Sequence, residues 1–554
     1  MRRFLLPVLM FVLVAATCFQ YWHWRGRPVP LPDLPGARFQ CLSYSPFEGS
    51  ASPLDPDFDV PRPVITRDMG VLKNVTGCLR TYSAIKVQGD VTRIAHEHGL
   101  KILQGIWISG TPEDNEEEIT AAIDLARTYP DTVKALIVGN EVLLRREMTG
   151  ETLARIIRRV KAATGLPVLY ADVPHFFKKE PAVVAAVDTL AIHILPYWDD
   201  PEPVSIAEVQ KHVAIIVEDM RRTFPGKPLM IGEIGWPSEG RTRGASVPSL
   251  VNQARFVREF VLGANRLGID YNLIEAIDQP WKRVPEGTVG GYWGIFTADR
   301  ELKFPLTGPV SEWPHWRAAF AVSLGIMAAF FAYGLSCGRI GGAVRWIAFA
   351  LLAGATGISL VHLYDHIRVS SLTAAGWVFG AYMAALTILA AVALTARMEG
   401  RIVAGAAAFP RVLGRFGDRE RWRPARWIGA GFWIAALPAA MLALAIGFDG
   451  RHRDLPIMGL WLPGLAVLIL CRGIPGNRPR REEASLTLIL TTGALMSFDG
   501  LRNVEMLFWS ATVLLFAAPG WRDIRSEVKF LISRPVEHRG ADEAKRDGDG
   551  GKGG

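Results

Sequence analysis

From Ala318 onward the chain runs through long apolar stretches separated by short, arginine-rich loops. Such stretches have few structural options. In lipid every backbone N–H and C=O must be satisfied within the segment, and a helix does this where an open strand or a loop does not. Seven spans are expected in this part, at 318–336, 346–363, 373–396, 427–448, 455–471, 484–498 and 504–520. The last three are short for a bilayer core that takes roughly 20 residues. The chain's net charge of +8 gathers in the loops. Arg397–Arg426 holds eight arginines against Glu399, Asp418 and Glu420, and Arg472–Glu483 holds four against two glutamates. Basic loops of this kind mark the cytoplasmic side of a membrane protein, so the charge calls for no nucleic-acid partner.

At the other end, Met1-Arg2-Arg3 precedes an apolar run from Phe4 to Phe19, followed by Tyr21, Trp22 and Trp24. The A-x-A cleavage pattern is absent, and the aromatic cluster suits an interfacial belt. Residues 1–24 therefore read as an uncleaved anchor and 25–37 as a proline-rich spacer. A soluble domain at 38–315 and the multi-span region at 316–521 follow, then a cytoplasmic tail at 522–554 that is polar and disordered after about Glu537. Alternating the sides puts the soluble domain across the membrane from the basic loops. Three turns then share its side: Asp365-His-Ile-Arg368, Phe448-Asp-Gly-Arg451 and Phe498-Asp-Gly-Leu-Arg502. Turn chemistry at helix ends is the plainer reading; a polar floor that touches substrate or docks the soluble domain is the sharper one.

The soluble domain alternates strand-like and helical patterns. Strands are expected at Phe39–Tyr44, Cys78–Tyr82, Lys101–Ile108, Ala135–Asn140, Pro167–Val173, Thr189–Pro196, Pro228–Ile234 and Tyr271–Ile277, with helices such as Glu116–Thr128, Gly150–Ala163 and Ser249–Leu267 between them. Eight such units predict an α/β fold, a TIM (β/α)8 barrel, followed by an all-α polytopic transmembrane domain. Cys41 and Cys78 begin adjacent strands and form either a disulfide, in an oxidising compartment, or two buried thiols. Cys18, Cys337 and Cys471 lie in or beside apolar spans as small fillers. No metal-ligand spacing, Walker loop or dinucleotide fingerprint is present, so neither metal nor cofactor is expected. His96-Glu97-His98 lacks a third ligand, and Asn74-Val-Thr76 is a sequon of little specificity. An aspartate-rich nucleotide-sugar motif with a QxxRW partner is also missing, so no processive polymerase is expected in this chain.

The chemistry rests on Val138-Gly-Asn-Glu-Val142 and Gly232-Glu-Ile-Gly-Trp-Pro-Ser238. Each ends an apolar strand in a glutamate beside a tight turn, at the rim where barrel active sites are built. Paired carboxylates of this kind serve cleavage or transfer of a glycosidic bond. With Ile277-Asp-Gln-Pro-Trp-Lys282 and Gly291-Tyr-Trp-Gly-Ile-Phe296, these motifs make residues 39–310 similar to glycoside hydrolase family 17, the β-1,3-glucanase and β-1,3-glucanosyltransferase family. The resemblance implies Glu141 as general acid/base, Glu233 as nucleophile and a retaining reaction through a glycosyl-enzyme. Asn140 would bond the sugar 2-hydroxyl, and Tyr44, Arg80, Tyr82 and Lys282 match positions along the family's cleft. Among Trp107, Trp198, Trp236, Trp281 and Trp293, two or three are expected to stack on sugar and the others to pack. One departure stands on strand six, where His193-Ile-Leu-Pro-Tyr197 places Leu195 at the position of an inward tyrosine that supports the nucleophile; His193 or Tyr197 is the candidate substitute. Asp278-Gln279 replaces a family Asp-Glu.

The domain arrangement resembles bacterial β-(1,6)-glucan synthases of cyclic β-1,3/1,6-glucan assembly. The expected activity is thus a transglycosylase that adds β-1,6 links or branches to a β-1,3-glucan. That glucan and a glucan acceptor would be its partners, together with the lipid membrane and a separate β-1,3-glucan synthase. The expected location is the bacterial inner membrane, with the catalytic domain on the periplasmic side. The alternatives are a tethered endo-β-1,3-glucanase and a non-catalytic glucan-binding or export subunit.

Overall fold

The computed structural model describes residues 2–36, 38–49, 51–55, 59–199, 202–401, 424–471 and 481–533. Most of both arginine-rich loops, and the tail after Glu537, lie outside these residues.

Eight parallel strands close into a barrel: β1 (Leu42–Ser43), β2 (Cys78–Arg80), β3 (Lys101–Ile106), β4 (Val133–Asn140), β5 (Val168–Asp172), β6 (Thr189–Ile194), β7 (Leu229–Ile234) and β8 (Asp270–Leu273). All eight expected strands are present. β1 is shortened because Gln40 leaves the ladder and accepts the Tyr271 amide on its side chain at 2.9 Å. Beyond it, Leu273 N donates to Cys41 O and Ala276 N to Ser43 O, which keeps the β8–β1 seam closed.

Strand periodicity sorts the side chains into two layers. Cys41, Cys78, Leu103, Ala135, Ile137, Leu169, Ala171, Ala191 and Met230 form one apolar cluster that fills the barrel. The alternate residues, such as Leu136, Val138, Val168, Leu190 and Ile192, pack in the larger core shared with the surrounding helices. Inside the barrel, Cys41 and Cys78 are joined as a disulfide. Towards the C-terminal rim the inward positions turn polar, with Ser43, Arg80, His193 and Asn272 all buried. The helices that hold the barrel carry ordinary start and stop signals. Gly150–Thr164 is capped by the Thr149 side chain and ended by left-handed Gly165, and Leu250–Leu267 by Ser249 and Gly268.

Helices stand at every expected apolar position: Arg2–Arg25, Trp316–Cys337, Ala343–Ser370, Ala374–Met398, Pro424–Phe448, Ile457–Leu470, Arg481–Met496 and Val504–Ala517. Among the described residues, six helices are long and apolar enough to cross a membrane, the last of them taken as the continuous span Val504–Lys529. Ile457–Leu470 and Arg481–Met496, at 14 and 16 residues, are each only about 21–24 Å long at the helical rise. The tail expected from residue 522 opens on a helix, Trp521–Ser533. Arg481 pairs with Glu527 at 2.9 Å and ties it to a neighbouring helix.

The first of the three segments, Asp365–Arg368, is the last part of the helix Ala343–Ser370 and not a turn; at or just beyond each of the three, the helical region contacts the barrel. Near the first, the Val369 carbonyl accepts Arg283 Nη1 and the Tyr292 hydroxyl, each at 2.9 Å. At the second, Gly450 O accepts Arg241 Nη1, and Asp454 accepts the Thr288 hydroxyl. At the third, Glu505 accepts the Thr242 amide at 2.7 Å, while Asn503 Nδ2 donates to Thr242 O at 3.1 Å.

Candidate active site

Glu141 lies one residue beyond β4 in the left-handed region, with φ +52°, after Gly139 at φ +91°. Left-handed geometry is uncommon for a residue with a Cβ and is held only where its surroundings over-determine it. Here the Glu141 amide donates to Ala171 O at 2.8 Å, so β5 fixes the turn. A Cβ on Gly139 would stand 2.7 Å from Val142 and 3.3 Å from Tyr170, which leaves that position to glycine. The turn leaves the Glu141 side chain partly exposed on the cavity wall.

Glu233 belongs to β7 and is buried. Its Oε1 accepts Arg80 Nη1 at 2.6 Å and the Tyr82 hydroxyl at 2.9 Å. His193 stands between the two glutamates, with Nδ1 2.9 Å from Glu141 Oε1 and 3.7 Å from Glu233 Oε2. One oxygen of each glutamate and a ring nitrogen of His193 lie within 4.8 Å of one another. Burial alone would raise the Glu233 pKa, but His193, Arg80, Lys282 and the Tyr82 hydrogen bond outweigh it and hold the carboxyl down to about 2. His193 shows the converse balance: burial favours its neutral form, and the two carboxylates overcome this and raise its pKa. Glu233 is thereby held in its ionised form.

The same trio is the one cluster among the described residues with metal-ligand spacing. A cation there would compete with the Arg80 guanidinium already on Glu233 and would take Glu141 from His193.

A cavity of about 1150 Å³ opens over the pair. Asn140, Tyr82, His193, Trp281, Lys282 and Trp293 line it, as expected for residues facing substrate. Arg80 lies beneath them, bonded to Glu233 and to Asn140 Oδ1, which leaves the Asn140 amide NH2 as that side chain's donor. Three expected cleft residues are elsewhere. Tyr44 is buried, with its hydroxyl on Asp68 at 2.9 Å. Tyr197 donates to Arg241 O at 2.7 Å and packs against Trp293. Trp236 packs against Phe256 of the Leu250–Leu267 helix, with Nε1 on Val247 O. Each finds both its apolar neighbours and its hydrogen-bond partner in the protein, so none faces the cavity. Trp107, Trp198, Trp281 and Trp293 do line it. Leu195, at the family tyrosine's position, also borders the cavity. The hydroxyl that reaches the buried carboxylate comes from Tyr82, on the far side of the barrel mouth.

Several lining or supporting groups carry no clear sequence signal. Glu118 comes from the Pro112–Thr128 helix and is held by Ser83 and the Ala84 amide. Glu286 follows the Pro-Trp-Lys turn; burial, reinforced by Glu233 and Glu141 and opposed by Lys282, pushes it up. Arg451 and His452 reach the cavity from the helical region. Glu275 is the exception. It pairs with Lys282 at 2.8 Å, and its sequence context, an acid near the end of an apolar strand, matches that of the other two glutamates.

The BtgE/BtgC glycoside hydrolase domain family matches residues 41–294. A glucan 1,3-beta-glucosidase of Arthroderma benhamiae is 30% identical over 259 residues, covering 43% of this chain and 82% of that relative. The chain belongs to glycoside hydrolase family 17. Another relative, glucan 1,3-beta-glucosidase BGL2 of Candida albicans, is 25% identical over 261 residues, covering 43% of this chain and 84% of its own length. Among solved structures, the family 17 beta-1,3-glucanosyltransferase of Rhizomucor miehei aligns with a TM-score of 0.42 and 25% identity, over 49% of this chain and 98% of that one. As a family 17 member the chain is of a glucan-acting enzyme class, and its barrel carries one glutamate just after β4 and the other on β7.

Proposed function

We propose that this protein is a retaining β-glucan transglycosylase that acts on β-1,3-glucan through a covalent glycosyl-enzyme. The observation that carries the reading is the carboxylate pair: oxygens of Glu141 and Glu233 lie within 4.8 Å, close to the spacing of about 5–5.5 Å typical of retaining enzymes and well short of the gap of roughly 6.5–9.5 Å that inverting enzymes leave for water. Glu141 protonates the departing glycosidic oxygen as Glu233, ionised and held by Arg80 and Tyr82, attacks the anomeric carbon. Glu141 then takes a proton from the acceptor, a water or a sugar hydroxyl, as the acceptor oxygen displaces Glu233. The names of the relatives support β-1,3-glucan as the donor.

The finer reading is that the acceptor is a sugar 6-hydroxyl, so that β-1,6 links or branches enter a β-1,3 chain made by a separate synthase. The resemblance of the domain arrangement to bacterial β-(1,6)-glucan synthases supports this. The barrel is read as external to the inner membrane, at the periplasmic face, with the basic loops in the cytoplasm. The Cys41–Cys78 disulfide supports an oxidising compartment, and the basic loops support the opposite face for themselves.

The test is incubation of the full-length protein in detergent with defined β-1,3-gluco-oligosaccharides. Products are sized by mass spectrometry and their linkages read by NMR, beside Glu233→Ala. Products longer than the substrate with β-1,6 signals are expected. Shorter sugars alone would make the protein a membrane-tethered endo-β-1,3-glucanase, and binding without glutamate-dependent turnover would make it a glucan-binding subunit.

A further inference from the structure

The loop between helices Pro424–Phe448 and Ile457–Leu470 does more than meet the barrel. Two of its side chains, Arg451 and His452, line the same cavity as Glu141 and Glu233. They stand beside Trp198, which follows β6. The Arg451 guanidinium lies 5.1 Å from the centre of the Trp198 ring, and the His452 ring lies 5.7 Å from it. Arg243, from the loop after β7, lies 5.1 Å from the same ring.

The loop is fixed along its length. Arg241 Nη1 donates to Gly450 O and lies 3.5 Å from Arg453 O, and Thr288 donates to Asp454. The barrel is also shaped to receive the backbone. Gly287 has φ +75°, and a Cβ there would stand 2.1 Å from the His452 carbonyl oxygen. An alanine at 287 would therefore push the loop away.

His452 itself poses a question that its protein contacts do not answer. Its Nδ1 is buried and has no hydrogen-bond partner among the described residues. A buried polar atom without a partner destabilises the fold unless something else satisfies it. The cavity that this residue lines is where a ligand hydroxyl could do so. Glu286, on the same wall, adds an acceptor next to these donors. Donors, an acceptor and an aromatic ring together suit a polyhydroxyl ring, whose hydroxyls both donate and accept.

We propose that Arg451 and His452 form a sugar subsite of the glucan cleft, built by the helical region. The inference rests on the reading of the barrel as a β-glucan enzyme. The helical region then completes the substrate site as well as anchoring it, and the number of glucose rings that the enzyme engages depends on a loop outside the barrel. The β-1,3-glucan chain threads past Trp198, and a ring distant from the cleaved bond bonds to the loop.

The test is the length dependence of binding and turnover by the full-length protein in detergent or nanodiscs. β-1,3-gluco-oligosaccharides of increasing length are compared for the wild type and for R451A/H452A. The wild type is expected to show a step in KM at the length that reaches the loop, of about tenfold, the effect of one or two hydrogen bonds. The double variant is expected to lose that step. The conservative R451K/H452Q, which keeps donors in place, is expected to regain part of it, which a folding defect would not produce. Identical length profiles for the wild type and R451A/H452A would overturn the proposal. If the wild type has no Glu233-dependent turnover, the reading of the function falls instead. Calorimetric binding of the same oligosaccharides to E233A with and without R451A/H452A then decides the subsite alone: a length-dependent loss supports it, and equal binding overturns it.

Discussion

Replacing Tyr82 by Phe removes one O–H donor from Glu233 and leaves Arg80 in place. Because that hydrogen bond helps to hold the carboxyl low, its loss is expected to move the acid limb of kcat/KM towards neutral pH. Near pH 2–3 the rate should fall roughly 2–5-fold, and at pH 7 much less. A parallel loss at both pH values would mean that Tyr82 acts by position alone. The same balance has a stability consequence. Between its ordinary value of 4.5 and about 2, Glu233 holds fewer protons in the folded than in the unfolded state. It therefore stabilises the fold above that window, and the contribution is lost as pH falls through it. Glu141→Gln keeps the shape but not the transferable proton, and is expected to lower kcat by about 10²–10⁴. Leaving groups that need no proton should restore its first step. If p-nitrophenyl or fluoride donors are no better than oligosaccharides for this variant, Glu141 is not the acid. His193 shows what residue-level reading of a sequence can do. The absence of a tyrosine at Leu195 pointed to a substitute nearby; the imidazole of His193 bonds Glu141 and lies 3.7 Å from Glu233, while the hydroxyl on Glu233 comes from Tyr82, four strands before Leu195 in sequence order.

Among the elements, the β1–β2 pair is the one that carries a covalent tie. Cys41 and Cys78 close a loop of 37 residues inside the barrel. Changing both to Ser is expected to destabilise the barrel by roughly 2–4 kcal/mol, read as a lowered denaturation midpoint with the protein kept in detergent. An unchanged midpoint would show that the bridge adds nothing measurable to the barrel's stability. Strand periods were legible because each strand has one face in the barrel and one against the helices. Strand ends were less so: the long-range bond from Gln40 to Tyr271 trims β1, and nothing local in Phe39–Tyr44 announces it.

At the scale of the whole molecule, Arg241 connects the barrel with the Asp449–Asp454 loop through two backbone carbonyls. Arg241→Ala is expected to speed hydrogen exchange in that loop by tenfold or more, about 1.4 kcal/mol of lost local stability. Amides of β3 to β7 should keep their protection. Equal exchange in the loop of both proteins would show that Thr288 and the packing on Gly287 suffice. Three places in the helical region contact the barrel, and a weak shared pattern of an aspartate followed by an arginine lay near each in the chain. The Val369 and Glu505 contacts at the first and third come from beside that pattern and outside it.

Periodicity and composition alone determine the eight-stranded barrel, the run of apolar helices and the two rim glutamates, because each is a local pattern: alternation, length without charge, or an acid ending a strand. Tertiary structure decides which side chains face the cavity. Tyr44, Tyr197 and Trp236 sit near strand ends as the cleft residues do, yet find their partners within the protein. It also decides that Arg80, Tyr82 and His193 converge on two carboxylates from different strands, and that a loop more than two hundred residues beyond Glu233 reaches the same cavity. Such contacts depend on closure of the barrel and on its seat against the helices, and no window of the chain contains either.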